Sequence, residues 1–91
     1  MIEIWGKPNC PFCDAAKRMC HNKNIDYIYH QLDEDFTREE LKERFPDART
    51  FPQIVHLKEA KVLGEVMYDT DKFDYIGGYT DFAEWVKNEK I

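Results

Sequence analysis

Long hydrophobic runs are missing from this 91-residue chain: its apolar residues, 43% of the total, come in short stretches, none approaching the length of a bilayer span. The first five residues also lack the charged and apolar regions of a secretory signal. No membrane partner is expected, and the chain reads as soluble, unexported and cytoplasmic. Cysteine is scarce as well. Three is an odd number and only two lie close together, which argues against a disulfide framework of the secreted kind and favours a reducing compartment with a redox or metal role. A basic face is lacking too: 13 Lys and Arg are outnumbered by 18 Asp and Glu, the net charge is -5, and the cations are scattered. Duplex nucleic acid is therefore a poor partner, because phosphate binding needs clustered cations. An anionic small ligand would have to rely on a local field from Lys7, Arg49 or backbone N–H groups. There is no repeat, linker or low-complexity segment. At this length one domain, residues 1–91, with one compact core is expected.

What is present begins with Ile2 and Ile4 alternating with Glu3 and Trp5, a short strand that meets the loop Gly6-Lys7-Pro8-Asn9. Positions 10 to about 23 read as a helix. Asn9 is a plausible cap, Pro11 suits the first turn, and Phe12, Ala15, Ala16, Met19 and Cys20 form a core-facing stripe. The segment 25–30 is rich in aromatic and β-branched residues, so a second strand follows and a βαβ unit with parallel pairing results. Thr37-Arg38-Glu39-Glu40 fits a capping box, predicting a second helix to about Phe45 that Pro46 stops. Positions 53–57 form a third strand opened by Pro52. Positions 62–68 and 73–76 are candidates for further strands, with Asp69-Thr70-Asp71-Lys72 as the turn between them. Gly77-Gly78 breaks the chain, and positions 81–90 form a last helix with Phe82, Trp85 and Val86 inward.

The chemistry lies in Lys7-Pro8-Asn9-Cys10-Pro11-Phe12-Cys13, where two thiols three residues apart sit at a strand-to-helix junction. Side chains at i and i+3 are roughly 5–6 Å apart at Cβ, close enough for disulfide geometry after modest adjustment. The sulfur of Cys10 faces unpaired N–H groups and the positive end of the helix dipole, which favour thiolate, and Lys7 adds a cation. Cys10 is therefore the predicted nucleophile. Cys13, one turn further in, stays a thiol until Cys10 carries a mixed disulfide, which it then resolves. The competing reading of a C-x-x-C pair is half of a zinc site. Only Cys20 and His21 are left to complete one, and adjacent helical residues point about 100° apart.

Three separated motifs, Lys7 to Cys13, then Arg49-Thr50-Phe51-Pro52-Gln53, then Gly77-Gly78-Tyr79-Thr80-Asp81, resemble the glutaredoxin family, a branch of the thioredoxin fold. The resemblance covers nearly the whole chain. It implies an α/β fold in which a central mixed four-stranded sheet is flanked by three or more helices, in the order β-α-β-α-β-β-α. It also implies a glutathione-dependent thiol-disulfide oxidoreductase that reduces protein disulfides and glutathione mixed disulfides, glutathione being the reducing co-substrate and no metal or other cofactor being permanently bound. In that family the proline matching Pro52 is cis and faces the dithiol, and the Phe51 N–H and C=O pair with the cysteinyl part of glutathione like an added strand. Thr80 and Asp81 would hold the γ-glutamyl end, through backbone N–H groups and the Asp81 carboxylate. Lys7 and Arg49 would take the glycyl carboxylate. Phe12, Thr50, Gly78 and Tyr79 complete the implied glutathione-binding set. Capping of the last helix is the alternative role for Thr80 and Asp81. Implied protein partners are disulfide-containing or glutathionylated proteins, ribonucleotide reductase among the candidates, and a monomer is expected.

Two features depart from the family pattern. Positions 55–75 exceed its usual short hairpin, so an insertion or extended hairpin is expected there. Trp5 stands where tyrosine is common and is expected to pack or to shield the site. Cys20, two turns beyond Cys13, reads as a buried core residue, and His21, His30 and His56 read as solvated or structural. Asp33, Glu34 and Asp35 read as a solvated face. Two other functions remain in view. In one, two chains and two glutathiones hold an iron-sulfur cluster through Cys10, which Pro11 should disfavour by stiffening the loop. The other is a thioredoxin-like reductant, although that family places Trp-Cys-Gly-Pro before its second cysteine.

Overall fold

The computed structural model describes residues 1–89, with side chains described outside 60–62 and 68–71. In chain order the elements are β1 (Ile2–Gly6), α1 (Pro11–Asn22), β2 (Tyr27–Gln31), α2 (Arg38–Arg44), β3 (Gln53–Val62), β4 (Glu65–Gly77) and α3 (Tyr79–Glu89). The sheet order is β2-β1-β3-β4. β1 runs parallel to β2 and antiparallel to β3, and β3 runs antiparallel to β4, so the sheet is mixed, as the resemblance implied. Among the described residues no helix is long and apolar enough to cross a membrane.

Each helix forms for a local reason. In α1 the buried residues Cys13, Ala16 and Cys20 lie at helical spacing, with Pro11 at the start and Asn24 in the left-handed region at φ 55° after its end. At α2 the expected capping box is present. The Thr37 hydroxyl accepts from the Glu40 N–H at 3.2 Å, and the Glu40 carboxylate accepts from the Thr37 N–H at 3.1 Å. The last helix begins at Tyr79, two residues before the expected start, and its expected end at Lys90 lies outside the described residues.

Helices cover the two faces of the central strands, which divides the core. Ile2, Ile4 and Ile54 pack with Ala16, Cys20, Phe82 and Val86 from α1 and α3. On the other face Val55 and Leu57 pack with Leu41 of α2 and with Leu32, Phe36 and Phe45. Trp5 joins this second cluster, its ring centroid 4.4 Å from that of His30 and 4.9 Å from that of Phe36. Trp5 therefore packs. Each fully buried aliphatic or aromatic side chain contributes about 1.5–3 kcal/mol through area removed from water.

Burial on both faces has a consequence that alternation alone did not reveal: Glu3, opposite in facing to Ile2 and Ile4, is only 3% exposed. Its carboxylate accepts from the Trp5 indole N–H at 3.0 Å, meets His30 Nε2 at 3.0 Å and lies 3.8 Å from the Arg44 guanidinium. Burial alone would push the Glu3 carboxyl up. The hydrogen bonds from His30 and Trp5, with the charges of His30 and Arg44, outweigh that and hold it below the usual glutamate range.

The hairpin corrects one expectation. Asp69-Thr70-Asp71-Lys72 is not the turn: β4 runs through it without a break, and the chain reverses at Leu63 and Gly64, with φ 53° and 82°. Two successive positive φ values between paired Val62 and Glu65 make a two-residue turn of the kind that matches strand twist. Those turn-forming residues act on the ladder instead. Register passes from Leu57 opposite Phe73 to Lys58 opposite Asp69, so residues 70–72 bulge from β4 with no counterpart on β3. The extended hairpin expected over 55–75 is thus one pair of long strands.

Two measurements check these placements. Since a carboxyl held below its unfolded value stabilises the fold above that value and loses the effect as pH falls through the folded one, Glu3→Gln should destabilise the protein by about 1–3 kcal/mol at neutral pH. The difference in urea midpoint should shrink on acidification, and a difference independent of pH would contradict the charged network. Burial pushes the Cys20 thiol up to about 11. Iodoacetamide at pH 8 should accordingly label Cys20 only after denaturation, and labelling at the rate of free cysteine in the native protein would place it at the surface.

Candidate active site

Three loops meet at one end of the sheet. Trp5 pairs with Gln53 and Ile54 pairs with Gly77, so the chain leaving β1, the chain entering β3 and the chain leaving β4 lie side by side. These loops carry Lys7 to Cys10, Arg49 to Pro52, and Gly78 with the start of α3.

After β1, Asn9 takes a left-handed conformation at φ 55° and Cys10 an extended one at φ -121° and ψ 99°. Cys10 is itself the N-cap of α1, where Asn9 was expected, because the left-handed residue turns the chain one position too early to cap. Pro11 fills the next position, where no N–H is needed. The Cys10 sulfur accepts from the Cys13 N–H at 3.2 Å, the bond that a Ser or Asp oxygen makes in an ordinary cap. Cys10 and Cys13 are joined as a disulfide, with Cα atoms 5.2 Å apart. Cys10 retains 6% exposure whereas Cys13 is fully buried, so Cys10 is the more accessible of the two residues. A sulfur so placed is favoured as thiolate once reduced, by the N–H groups and the dipole of α1.

The Phe51–Pro52 bond is cis, and Pro52 is buried. Lys7 Nζ stands 5.6 Å from the Phe51 ring centroid, which joins the first loop to the second. Gly78 passes close to the Pro52 carbonyl, where a Cβ on the glycine would sit 3.7 Å from that oxygen. Gly77, at φ 122°, needs the freedom of glycine to make the bend. Beyond it the Gly78 N–H donates to the Asp81 carboxylate at 3.3 Å, so Asp81 has a capping role. Phe12, largely exposed, stacks on Tyr79 with ring centroids 6.0 Å apart, and that contact ties α1 to α3.

Of the expected site residues, Lys7, Phe12, Phe51, Pro52, Gly78, Tyr79 and Asp81 thus lie on the loops and helix starts at the end of the sheet that carries Cys10 and Cys13, with Thr80 exposed on the first turn of α3. Arg49 and Thr50, from the same loop as Phe51, lie further out from the dithiol. They line a cavity of about 600 Å³ on the α2 side, with Arg38, Lys42 and Phe51. Arg38, absent from the sequence expectations, places its guanidinium carbon 5.8 Å from the Phe51 ring centroid, so Phe51 lies within reach of two cations. Gln53 was also missed as a positioning residue. It is 2% exposed, its amide donates to the Thr50 carbonyl at 2.6 Å, and its oxygen accepts from the Tyr75 hydroxyl. A polar residue directly after the proline of a buried strand was the available signal.

Other candidates fall away from the dithiol. His21 is exposed, 2.8 Å from the Tyr27 hydroxyl, while its neighbour Cys20 lies in the core, so the two do not converge on a common point. His56 packs its ring against Trp85 at 5.2 Å. Among the described residues no group of three or more His, Cys, Asp or Glu side chains is placed to hold a metal ion.

The model of the glutaredoxin family matches residues 2–59. Glutaredoxin 1 of Escherichia coli K12 is 31% identical over 90 residues, an alignment that covers 92% of this chain and 89% of that protein. Among solved structures, glutaredoxin 1 of Francisella tularensis, complexed with cacodylate, superposes with a TM-score of 0.63 at 22% identity and covers 96% of this chain and 95% of that one. The buckwheat glutaredoxin–glutathione complex gives a TM-score of 0.65 at 18% identity over 98% of this chain and 70% of that one. These two likenesses support the fold. Together with a sequence relative that matches almost end to end, they lead to one assignment: the chain belongs to the glutaredoxin family and is a thiol-disulfide oxidoreductase.

Proposed function

We propose that this protein is a single-domain, monomeric, cytoplasmic reductant that draws its electrons from glutathione and uses Cys10 as nucleophile and Cys13 as resolving thiol. The observation that carries this reading is the N-cap position of the Cys10 sulfur, with the Cys13 N–H directed at it and Cys13 itself sealed inside. With a glutathione mixed disulfide, the Cys10 thiolate attacks the glutathione sulfur. A new S–S bond forms, and the substrate protein leaves as a thiolate that takes up a proton. A second glutathione thiolate then attacks the glutathione sulfur on Cys10, which releases glutathione disulfide and regenerates the Cys10 thiolate. With a protein disulfide, the Cys10 thiolate attacks one substrate sulfur to form a mixed disulfide, while the substrate S–S bond breaks and its other sulfur leaves as a thiolate that takes up a proton. Cys13, deprotonated, attacks the Cys10 sulfur, which frees the second substrate thiol and leaves the Cys10–Cys13 bond to be reduced by two glutathiones.

Glutathione would lie across the three loops. Its cysteinyl backbone would pair with Phe51 before the cis-proline, and its γ-glutamyl carboxylate would meet the first N–H groups of α3 near Gly78, Tyr79 and Thr80. Asp81 would hold the ammonium, and Phe12 stacked on Tyr79 would wall that end. Lys7 and Arg49, with Arg38 against Phe51, would take the glycyl carboxylate at the other end, and Thr50 would border it. The glutathione complex of the buckwheat relative supports a site of this kind. No permanently bound cofactor is needed. Disulfide-containing and glutathionylated proteins are the proposed substrates, with ribonucleotide reductase a candidate among them.

Serine variants test the roles. Cys10→Ser should lower glutathione-dependent reduction of a small mixed disulfide by at least about 100-fold, the scale of losing a nucleophile. Cys13→Ser should keep that activity within a few fold and lose reduction of protein disulfides. Equal losses in both variants would overturn the assignment. In the reduced wild type, iodoacetamide at pH 7 should modify Cys10 faster than free cysteine, and a rate no higher would remove the stabilised thiolate.

A further inference from the structure

The chain carries five more negative than positive charges, yet three cations gather around one concavity. The cavity of about 600 Å³ beside the cis-proline loop is lined by Arg38, Lys42 and Arg49. Among the described residues none of the three is ion-paired with a carboxylate, whereas Lys17, Arg44 and Lys58 are. Arg38 and Lys42 stand one turn apart on α2 and so share a face of the helix. The glycyl carboxylate of glutathione is a single charge, and Lys7 with Arg49 and Arg38 already meets it. Lys42 is surplus to that ligand.

Beside the cavity, across Pro46 and Ala48, lies a second cleft of about 240 Å³, walled by Phe45, Phe73 and Tyr75 and lined also by Arg44 and Asp47. The two spaces share Pro46 and Ala48. A small free anion would fill only the first. An occupant with carboxylates and an apolar side chain a short distance along fits both, and a polypeptide segment supplies that combination. Arg44 in the second cleft is already paired with Glu3, and Asp47 there is acidic, so the acidic part of the segment belongs on the Lys42 side.

We propose that this basic cavity selects protein substrates whose disulfide is flanked by acidic residues, and that Lys42 is a specificity-determining residue for them. The proposal rests on glutathione-dependent reduction at Cys10. An acidic protein approaching this chain meets a net charge of -5 and is attracted where Arg38, Lys42 and Arg49 cluster beside the cis-proline loop. The same field that speeds encounter therefore fixes orientation, and it disfavours a segment with lysines at those positions.

The test uses two glutathionylated peptides of equal length, with glutamates or lysines around the cysteine, and the mixed disulfide of free cysteine with glutathione. Wild type should show kcat/KM about tenfold higher for the glutamate peptide than for the lysine peptide at low salt, with the gap closing at high salt. Lys42→Glu, an exposed change, should lower kcat/KM for the glutamate peptide by about fivefold, raise it for the lysine peptide, and leave the small disulfide within about twofold. Equal values for the two peptides in wild type would overturn the proposal, as would a loss in Lys42→Glu shared by the small disulfide. If wild type turned over none of the three, the glutathione-dependent reading would fall instead. Binding then decides the cavity separately: a cysteine-free glutamate-rich peptide should shift the α2 amide resonances saturably, and less so in Lys42→Glu. Absence of such shifts would overturn it.

Discussion

Between the Cys13 amide and the sulfur of Cys10 lies one hydrogen bond of 3.2 Å, and it exists because β1 delivers the chain to that point in a fixed direction. β1 has neighbours on both edges, parallel to β2 and antiparallel to β3, and helices over both faces. A strand so enclosed cannot slide or tilt without exposing Ile2 and Ile4 on one side or the Glu3 network on the other. Its end at Gly6 is therefore a fixed origin, and three loop residues, with Asn9 left-handed, bring the next helix to start at the cysteine. The reactive position follows from the sheet, and the sheet is held by its two half-cores.

Much of this could be read from the residues. Pro11 after Cys10, the Thr37–Glu40 box and the spacing of Ala16 and Cys20 are local signals. Local signals predict helices well, because the bonds they describe close within one turn. The hairpin was less legible. Asp69 to Lys72 has the composition of a turn, but a turn also needs strands that end beside it, and long-range pairing with β3 decided that only a bulge forms there. Gly64 held the true signal, weakened by a leucine before it.

The cysteine pair and the glycine bend were legible because each depends on a residue type that few others can replace, whereas the cis bond before Pro52 was expected only through the family resemblance. Arg38 and Lys42 were not. Their relevance comes from α2 lying against the loop before β3, a distance that no spacing in the sequence reports. Glu3 was hidden for a related reason: alternation along one strand shows which side a residue faces, while the cover on that side comes from a helix some 35 residues later. In an acidic chain the consequence of such packing is uneven charge, with Arg44 spent on a buried carboxylate and other cations left at the rim of the site.

Gln53 joins Thr50 and Tyr75 through a single side-chain amide. The base of the long hairpin and the loop bearing the cis-proline are therefore yoked. A force that splayed β4 from the sheet would drag on the carbonyl of Thr50 before it reached any sulfur. A grip on the distant ribbon of β3 and β4 would thus be felt mechanically at the loop that carries the cis-proline.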